Sequence, residues 1–133
     1  MSRIRHFSGT PTNFEWEDTE TLIYSEGVSK GATGKIMIGK KDDAKHFVFR
    51  YFRIEPGGHS ALNDTHLHDH GVMVLHGRAR VYLDGNVVGE VGPNDIIYIQ
   101  PWQPHHLETI GEEPMGFLCI IPNKDMLQEL NEK

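Results

Sequence analysis

Turn-forming residues divide this chain into short segments, and this division restricts its fold more than any other feature of the sequence. Fourteen glycines and seven prolines lie among the 133 residues, in turns such as Pro56-Gly57-Gly58 and Asp84-Gly85. The segments between them carry β-branched and aromatic residues without a long helical pattern. Strands are therefore predicted over residues 35–38, 46–54, 66–75, 79–83, 87–91, 96–100, 105–109 and 115–121. Strands at this regular spacing are typical of a β-sandwich or barrel.

The two ends of the chain follow other patterns. Residues 1–30 carry scattered aromatic residues and predict an irregular arm or an added edge strand. Residues 123–133 predict a short C-terminal helix, because Asp125 can cap a segment whose apolar residues form a helical stripe. We therefore expect one domain, with an arm over 1–30, a β-barrel over 31–122 and a helical tail over 123–133.

Composition excludes several classes of protein. The single cysteine, Cys119, forms no internal disulfide, which fits a reducing compartment and excludes a cysteine-based zinc site. No secretory signal and no apolar run of about 18 residues is present, so we expect a cytoplasmic protein with no membrane span. The formal net charge of −6 and the lack of a basic cluster argue against a nucleic-acid partner.

Histidines are concentrated in one part of the sequence, and three of them alternate. Side chains at alternate positions of a strand share a face, so His66, His68 and His70 would project to the same side. Neighbours about 6.7 Å apart along a strand can share an ion, whereas His66 and His70 would lie about 13 Å apart if the strand were flat. The run therefore predicts a metal site with a bend, at Gly71 or at a bulge near Asp69.

A further ligand has to come from another strand, because one strand cannot surround an ion. His105 follows the rigid turn 101–104, and its neighbour His106 should point to the opposite face. We expect His105 to complete a site with His66, His68 and His70.

Two segments of the chain resemble the two conserved motifs of the cupin superfamily. The first is Glu55-Pro56-Gly57-Gly58, followed by the three alternating histidines and by 71–77, which ends at Gly77. The second extends from Gly92 through Pro101 to His105. The resemblance implies a cupin-type jelly-roll barrel with a metal ion at its centre and, commonly, a homodimer.

One position departs from the usual cupin pattern. His70 stands seven residues before Gly77, where cupins usually carry a glutamate, so the chain resembles a small four-histidine subgroup. The usual cupin spacing would make His66 the second histidine of the motif and would place Asp64 at the position of the first. The simplest chemical interpretation keeps His66 and His68 as the pair. The fourth ligand is thus either His68 or Asp64.

The resemblance implies one divalent metal ion in the barrel and a small polar or anionic substrate. Manganese, iron, zinc and nickel all fit the predicted ligands. The small four-histidine cupins imply oxygenase, isomerase or lyase chemistry, including a lyase or sulfurylase that acts on a methylthio-pentulose phosphate. The alternative is a cupin module that binds a metal or small molecule without turnover.

Four other residues are candidates for roles at the site. Cys119 lies in an apolar strand, where it is either a buried core residue or, as the resemblance implies, a catalytic nucleophile or acid with a lowered pKa. Arg50 could bind a substrate carboxylate or phosphate if it points into the barrel. Tyr98 and Trp102 could line the mouth of the cavity.

Overall fold

The structure is a computed structural model, and it describes residues 2–23 and 28–123. These residues form nine strands and one turn of 3-10 helix over Lys40–Asp42. The strands are β1 (Glu20–Ile23), β2 (Lys30–Ile38), β3 (Phe47–His59), β4 (His70–His76), β5 (Arg78–Leu83), β6 (Asn86–Val91), β7 (Ile96–Ile99), β8 (His105–Ile110) and β9 (Met115–Pro122).

All nine strands belong to one curled antiparallel sheet in the order β6-β5-β8-β3-β9-β4-β7, with β2 also paired to β3 and β1 to β2. The 13-residue strand β3 contacts three neighbours, because β9 pairs with its first part while β8 reaches its end at His59. The prediction of an all-β fold is confirmed.

The concave side of the sheet holds the core. Along β3, Arg50, Phe52 and Ile54 share the inner face, and the fully buried Ile54 belongs to the core. The rest of the core comes from alternate positions on other strands: Val72, Val74, Ala79, Val81, Ile99, Leu107, Met115, Phe117, Cys119 and Ile121. This alternation follows from the two-residue period of a strand, and it places Arg50 beside the apolar core.

A bulge in β4 separates His76 from the residues that precede it. The register between β4 and β9 shifts between Val74 and His76, and such a shift turns the next side chain in a new direction. His76 consequently contacts Tyr51, whose hydroxyl lies 2.5 Å from His76 Nε2 on the outer side of β3. Both residues are buried.

The N-terminal segment covers this outer tyrosine–histidine pair. The Phe14 ring stacks on Tyr51 at 5.9 Å and lies 4.8 Å from His76, and Trp16 meets Tyr51 edge to face. Arg5 fixes the segment through an ion pair of 2.9 Å with Asp42, in which both side chains are largely buried. The arm thus packs on the sheet through aromatic contacts and a charge pair.

One strand prediction is wrong at its start, and the predicted C-terminal helix cannot be compared with the structure. The strand predicted over 66–75 is wrong at its start, because β4 begins only at His70, where pairing with Ile99 starts. The helix predicted around Asp125 lies outside the described residues, and the division into arm, barrel and tail stays a prediction. In the part of the chain that the structure describes, no helix has the length and apolar character needed to cross a membrane.

Candidate metal centre

The candidate ligands lie where strands meet loops. His70 is the first residue of β4, His105 is the first residue of β8, and His66 lies in the loop before β4. The chain bends at residues 67–68, so the predicted bend is present but lies before Asp69 and Gly71. The bend shortens the separation that a flat strand would impose on His66 and His70, and this explains why the strand cannot extend back to residue 66.

Backbone hydrogen bonds join the two ligand-bearing loops. Asp64 and His105 exchange two N–H to carbonyl hydrogen bonds, each 2.9 Å long. Trp102 N–H donates to the His66 carbonyl at 2.7 Å, and the Thr65 hydroxyl donates to the Trp102 carbonyl at 2.8 Å. The loop that carries His66 is therefore held beside the loop that leads into His105.

Three imidazoles converge beside these two loops. One nitrogen from each of His66, His70 and His105 lies within 4.8 Å of the others. Their ring centroids are 5.0 Å apart for His66 and His70, 4.9 Å for His70 and His105, and 5.6 Å for His66 and His105. These separations place three nitrogen donors around one point, as a divalent cation requires.

The donors fit a metal ion by a test that is independent of their spacing. His70 Nε2 is buried and has no hydrogen-bond partner among the described residues. Buried polar atoms almost always have a partner, so this nitrogen is suited to an ion. The Gln103 carbonyl accepts a hydrogen bond of 2.8 Å from His105 Nδ1, which leaves Nε2 of that ring with its lone pair free.

The site favours neutral imidazoles. Burial, reinforced by the neighbouring histidines and by Arg50, lowers the pKa of His70 to about 3. Burial also lowers the pKa of His105, against the opposing effect of the Gln103 carbonyl. Neutral imidazole is the form that binds metals, so both rings are ready to coordinate at neutral pH.

His68 and Asp64, the two candidates for the fourth ligand, lie at different places. The His68 ring stacks on His66 at 4.9 Å and on His70 at 4.8 Å, and burial lowers its pKa to about 4. Asp64 Oδ2 lies 2.9 Å from His66 Nε2. Among the described residues, the cavity wall includes Asp64 but not His68.

A cavity of about 230 Å³ opens above the three imidazoles. Arg50 and Cys119 line it with His70, and most of its remaining wall is apolar. Arg50, Cys119 and Val72 form a row across β3, β9 and β4, because Cys119 is the register partner of both of the others. His70 lies two residues before Val72 on the same face of β4, so the thiol and the guanidinium share the cavity with the imidazoles.

Arg50 carries a charge that no carboxylate offsets. Its Nη2 donates to Cys119 Sγ at 3.4 Å, and its guanidinium lies 4.9 Å from the centre of the Phe52 ring. Within residues 2–23 and 28–123, Arg50 has no ion-pair partner and its buried Nε has no hydrogen-bond partner. A half-buried cation in this state can bind an anionic group.

Cys119 is a buried member of the apolar core, which is the first of the two roles that the sequence left open. Burial raises its pKa, although the adjacent Arg50 opposes this effect. In the metal-free chain the thiol is therefore protonated at neutral pH, and the lowered pKa that the catalytic alternative expects beside a bound metal ion stays a prediction.

Tyr98 and Trp102 lie outside the cavity wall described above. They are 64% and 61% exposed, and the Tyr98 hydroxyl donates to Asp69 Oδ2 at 2.9 Å. The backbone of Trp102, rather than its ring, contributes to the site through the His66 carbonyl. Sequence reasoning also missed Gln103, since a carbonyl that orients a ligand has no signature in the side-chain pattern.

Comparison with known proteins places these features in a family. The family model for the cupin domain matches residues 50–121. This range includes all of the candidate ligands and the strands that carry them. The chain belongs to the cupin family. Its all-β jelly-roll architecture, predicted from the two motifs, is thereby confirmed.

Several cupins are similar over most of their length. This cupin is 32% identical to 1-methylthio-D-xylulose 5-phosphate methylsulfurylase of Rhodospirillum rubrum over 120 residues, which are 88% of this chain and 74% of the relative. A solved cupin-2 domain from Rhodospirillum rubrum is 30% identical, with a TM-score of 0.75, over 87% of this chain and 77% of that one.

A polyketide cyclase from Streptomyces resistomycificus is 28% identical, with a TM-score of 0.72, over 92% of this chain and 79% of that one. Two of these relatives are thus named as enzymes of different reactions. This cupin therefore has relatives that are enzymes, and those relatives catalyse different reactions.

Proposed function

We propose that this cupin is a metal-dependent enzyme that acts on a small anionic metabolite inside its barrel. One observation carries the proposal: the three converging imidazoles, with the orphaned His70 Nε2 among them, share a cavity with the uncompensated guanidinium of Arg50. Such a cavity can hold one end of a substrate by charge while another part reaches the metal.

His66, His70 and His105 would hold the ion. A divalent ion bound there supplies a Lewis acid that polarises a carbonyl or hydroxyl oxygen. Iron, zinc and nickel are candidates because they suit imidazole, and manganese is a candidate because its availability in a cell can outweigh its preference for oxygen donors.

Arg50 would bind the anionic group of the substrate. A guanidinium has a planar fork of donors that matches a carboxylate or phosphate with two hydrogen bonds. The apolar wall around it excludes water, which strengthens this charge pair. Binding at Arg50 would fix the orientation of the substrate relative to the imidazoles.

Cys119 would act as a proton donor. Its thiol is held beside Arg50, and burial raises its pKa, which favours the protonated form that this role needs. A protonated thiol in contact with bound substrate can protonate a departing group as the bond between that group and the substrate breaks, and the resulting thiolate regains a proton from water. This role favours lyase or isomerase chemistry over oxygenase chemistry.

The Rhodospirillum relative supplies the first substrate to test, a ketose phosphate that carries a methylthio group. We expect the metal-loaded protein to consume 1-methylthio-D-xylulose 5-phosphate or a related sugar phosphate. Consumption of the substrate and release of any thiol are measured with the native protein and with His70→Ala and His105→Ala variants, together with metal content by mass spectrometry. Stoichiometric metal in both variants would refute the site, and metal-dependent binding of sugar phosphates without turnover would favour the binding module.

A further inference from the structure

The loop residue Asp64 lies in the cavity wall beside the three converging imidazoles. We propose that Asp64, rather than His68, is the fourth protein ligand, so that the site consists of three imidazoles and one carboxylate. This inference rests on the metal site proposed above and replaces the four-histidine set that the sequence favoured.

The backbone directs the Asp64 side chain into the cavity. Asp64 and His105 lie directly opposite each other and exchange both of their backbone hydrogen bonds. Side chains of directly opposed residues in an antiparallel pair project to the same face. Asp64 therefore accompanies His105 into the cavity, whose wall contains both residues.

The carboxylate already contacts one ligand at a suitable distance. Asp64 Oδ2 lies 2.9 Å from His66 Nε2. Two adjacent ligands with bonds of about 2.1 Å at right angles are separated by about 3.0 Å. The hydrogen-bonded pair thus has the spacing that neighbouring ligands need.

Side-chain rotation would complete the approach of Asp64. The carboxylate lies outside the group of three donors that are all within 4.8 Å of one another. Its side chain is 41% exposed, so it has room to turn toward the other two imidazoles while it stays beside His66. The change concerns side-chain torsions only, because the backbone at Asp64 is fixed by His105.

His68 is placed to support the ligands rather than to join them. Its ring is nearly parallel to the ring of His66, at 8°, and is stacked on His70 at 25°. His68 also lies outside both the group of three converging nitrogens and the wall of the cavity.

A carboxylate ligand changes which metals the site prefers. It reduces the net charge of an ion with three neutral imidazoles from about +2 to about +1, and oxygen is a harder donor than imidazole nitrogen. We therefore expect Asp64 to matter more for Mn²⁺ than for Zn²⁺.

Titration of the metal-free full-length protein with Mn²⁺ and with Zn²⁺, followed by calorimetry, tests this assignment. Asp64→Asn keeps the size and the acceptor oxygen of the side chain and removes its charge. His68→Phe keeps a stacking ring and removes both nitrogens, so it is the matched control. Asp64→His places an imidazole at the same position.

We expect Asp64→Asn to weaken Mn²⁺ binding by more than about 100-fold, which exceeds the usual effect of a residue that only orients a ligand. His68→Phe should change binding by less than about 10-fold. Asp64→His should recover Zn²⁺ affinity to within about 10-fold of the native protein, since imidazole suits Zn²⁺, and should leave Mn²⁺ binding weak.

Weak binding by His68→Phe together with near-native binding by Asp64→Asn would overturn the assignment. A loss in Asp64→Asn that Asp64→His does not recover for Zn²⁺ would also overturn it, because Asp64 would then only orient His66. Retention of metal by His70→Ala would instead refute the proposed metal site itself. Near-ultraviolet circular dichroism verifies that each variant is folded before titration.

Discussion

A single methyl group added at Gly116 should disrupt the buried pair of Tyr51 and His76. Gly116 lies on β9 opposite His76, and a Cβ built there falls inside contact distance of His76 Nε2 and 2.6 Å from the Tyr51 hydroxyl oxygen. The two side chains have to separate, since both are buried. Gly116→Ala therefore removes the 2.5 Å hydrogen bond between them.

The size of the effect follows from these contacts. Each buried polar group left without a partner costs about 1–3 kcal/mol. Overpacking a dense region by one methyl group adds about 1–3 kcal/mol. The free energy of unfolding should consequently fall by at least about 3 kcal/mol in Gly116→Ala.

Urea denaturation of the metal-free protein, followed by circular dichroism and tryptophan fluorescence, measures this loss. Gly89→Ala is the control, because Gly89 is exposed in a strand and nothing lies within 4 Å of its added Cβ. In the His76→Ala variant the imidazole that the added methyl group would strike is absent. Gly116→Ala should therefore lower the free energy of unfolding of that variant by at least about 2 kcal/mol less than it does in the native protein. A loss below about 1 kcal/mol in the native background would refute the steric argument.

Four further predictions concern other contacts. The free energy of unfolding of the metal-free protein should fall as the pH drops below about 6.5, because the folded-state pKa of His70, about 3, lies below its unfolded value. His70 contributes up to about 1.4 kcal/mol per pH unit to this loss. Urea titrations at several pH values should show a weaker dependence of the free energy of unfolding on pH in His70→Leu. Arg50→Met should raise the KM for a phosphorylated substrate by at least about 100-fold while metal content stays native, and an unchanged KM would contradict the anion-binding role. Cys119→Ser should lower kcat by about 10²–10⁴-fold at constant KM; full activity would remove the proton-donor role. Trp16→Ala should lower the free energy of unfolding by about 2 kcal/mol through lost contacts with Tyr51, and an unchanged urea midpoint would contradict this packing.

The sequence predicted the fold well because its signals are local. Turn residues and two-residue alternation marked the strands from β2 to β9, and the cupin motifs added the barrel topology. The N-terminal arm was left open between two alternatives, since its aromatic residues contact Tyr51, far away in the chain. No local pattern records which distant surface an aromatic residue will cover.

The arrangement of the candidate ligands was harder to predict than the fold. Strand periodicity correctly required a bend between His66 and His70, yet it could not locate the bend before His70. The choice between His68 and Asp64 depends on the pairing of Asp64 with His105, which is a contact between distant segments. A sequence pattern can supply the donor types, whereas the backbone partners decide which donors face the cavity.

The backbone pair formed by Asp64 and His105 would have a kinetic consequence for exchange of the proposed metal ion. Two hydrogen bonds join loops whose residues lie 41 positions apart, and Trp102 adds a third bond to the carbonyl of His66. Neither loop can open alone without breaking these bonds, so donors on both loops would leave the ion together. Metal release would then proceed through one concerted opening rather than through stepwise loss of ligands, and the rate of exchange would follow the local stability of this small two-loop unit.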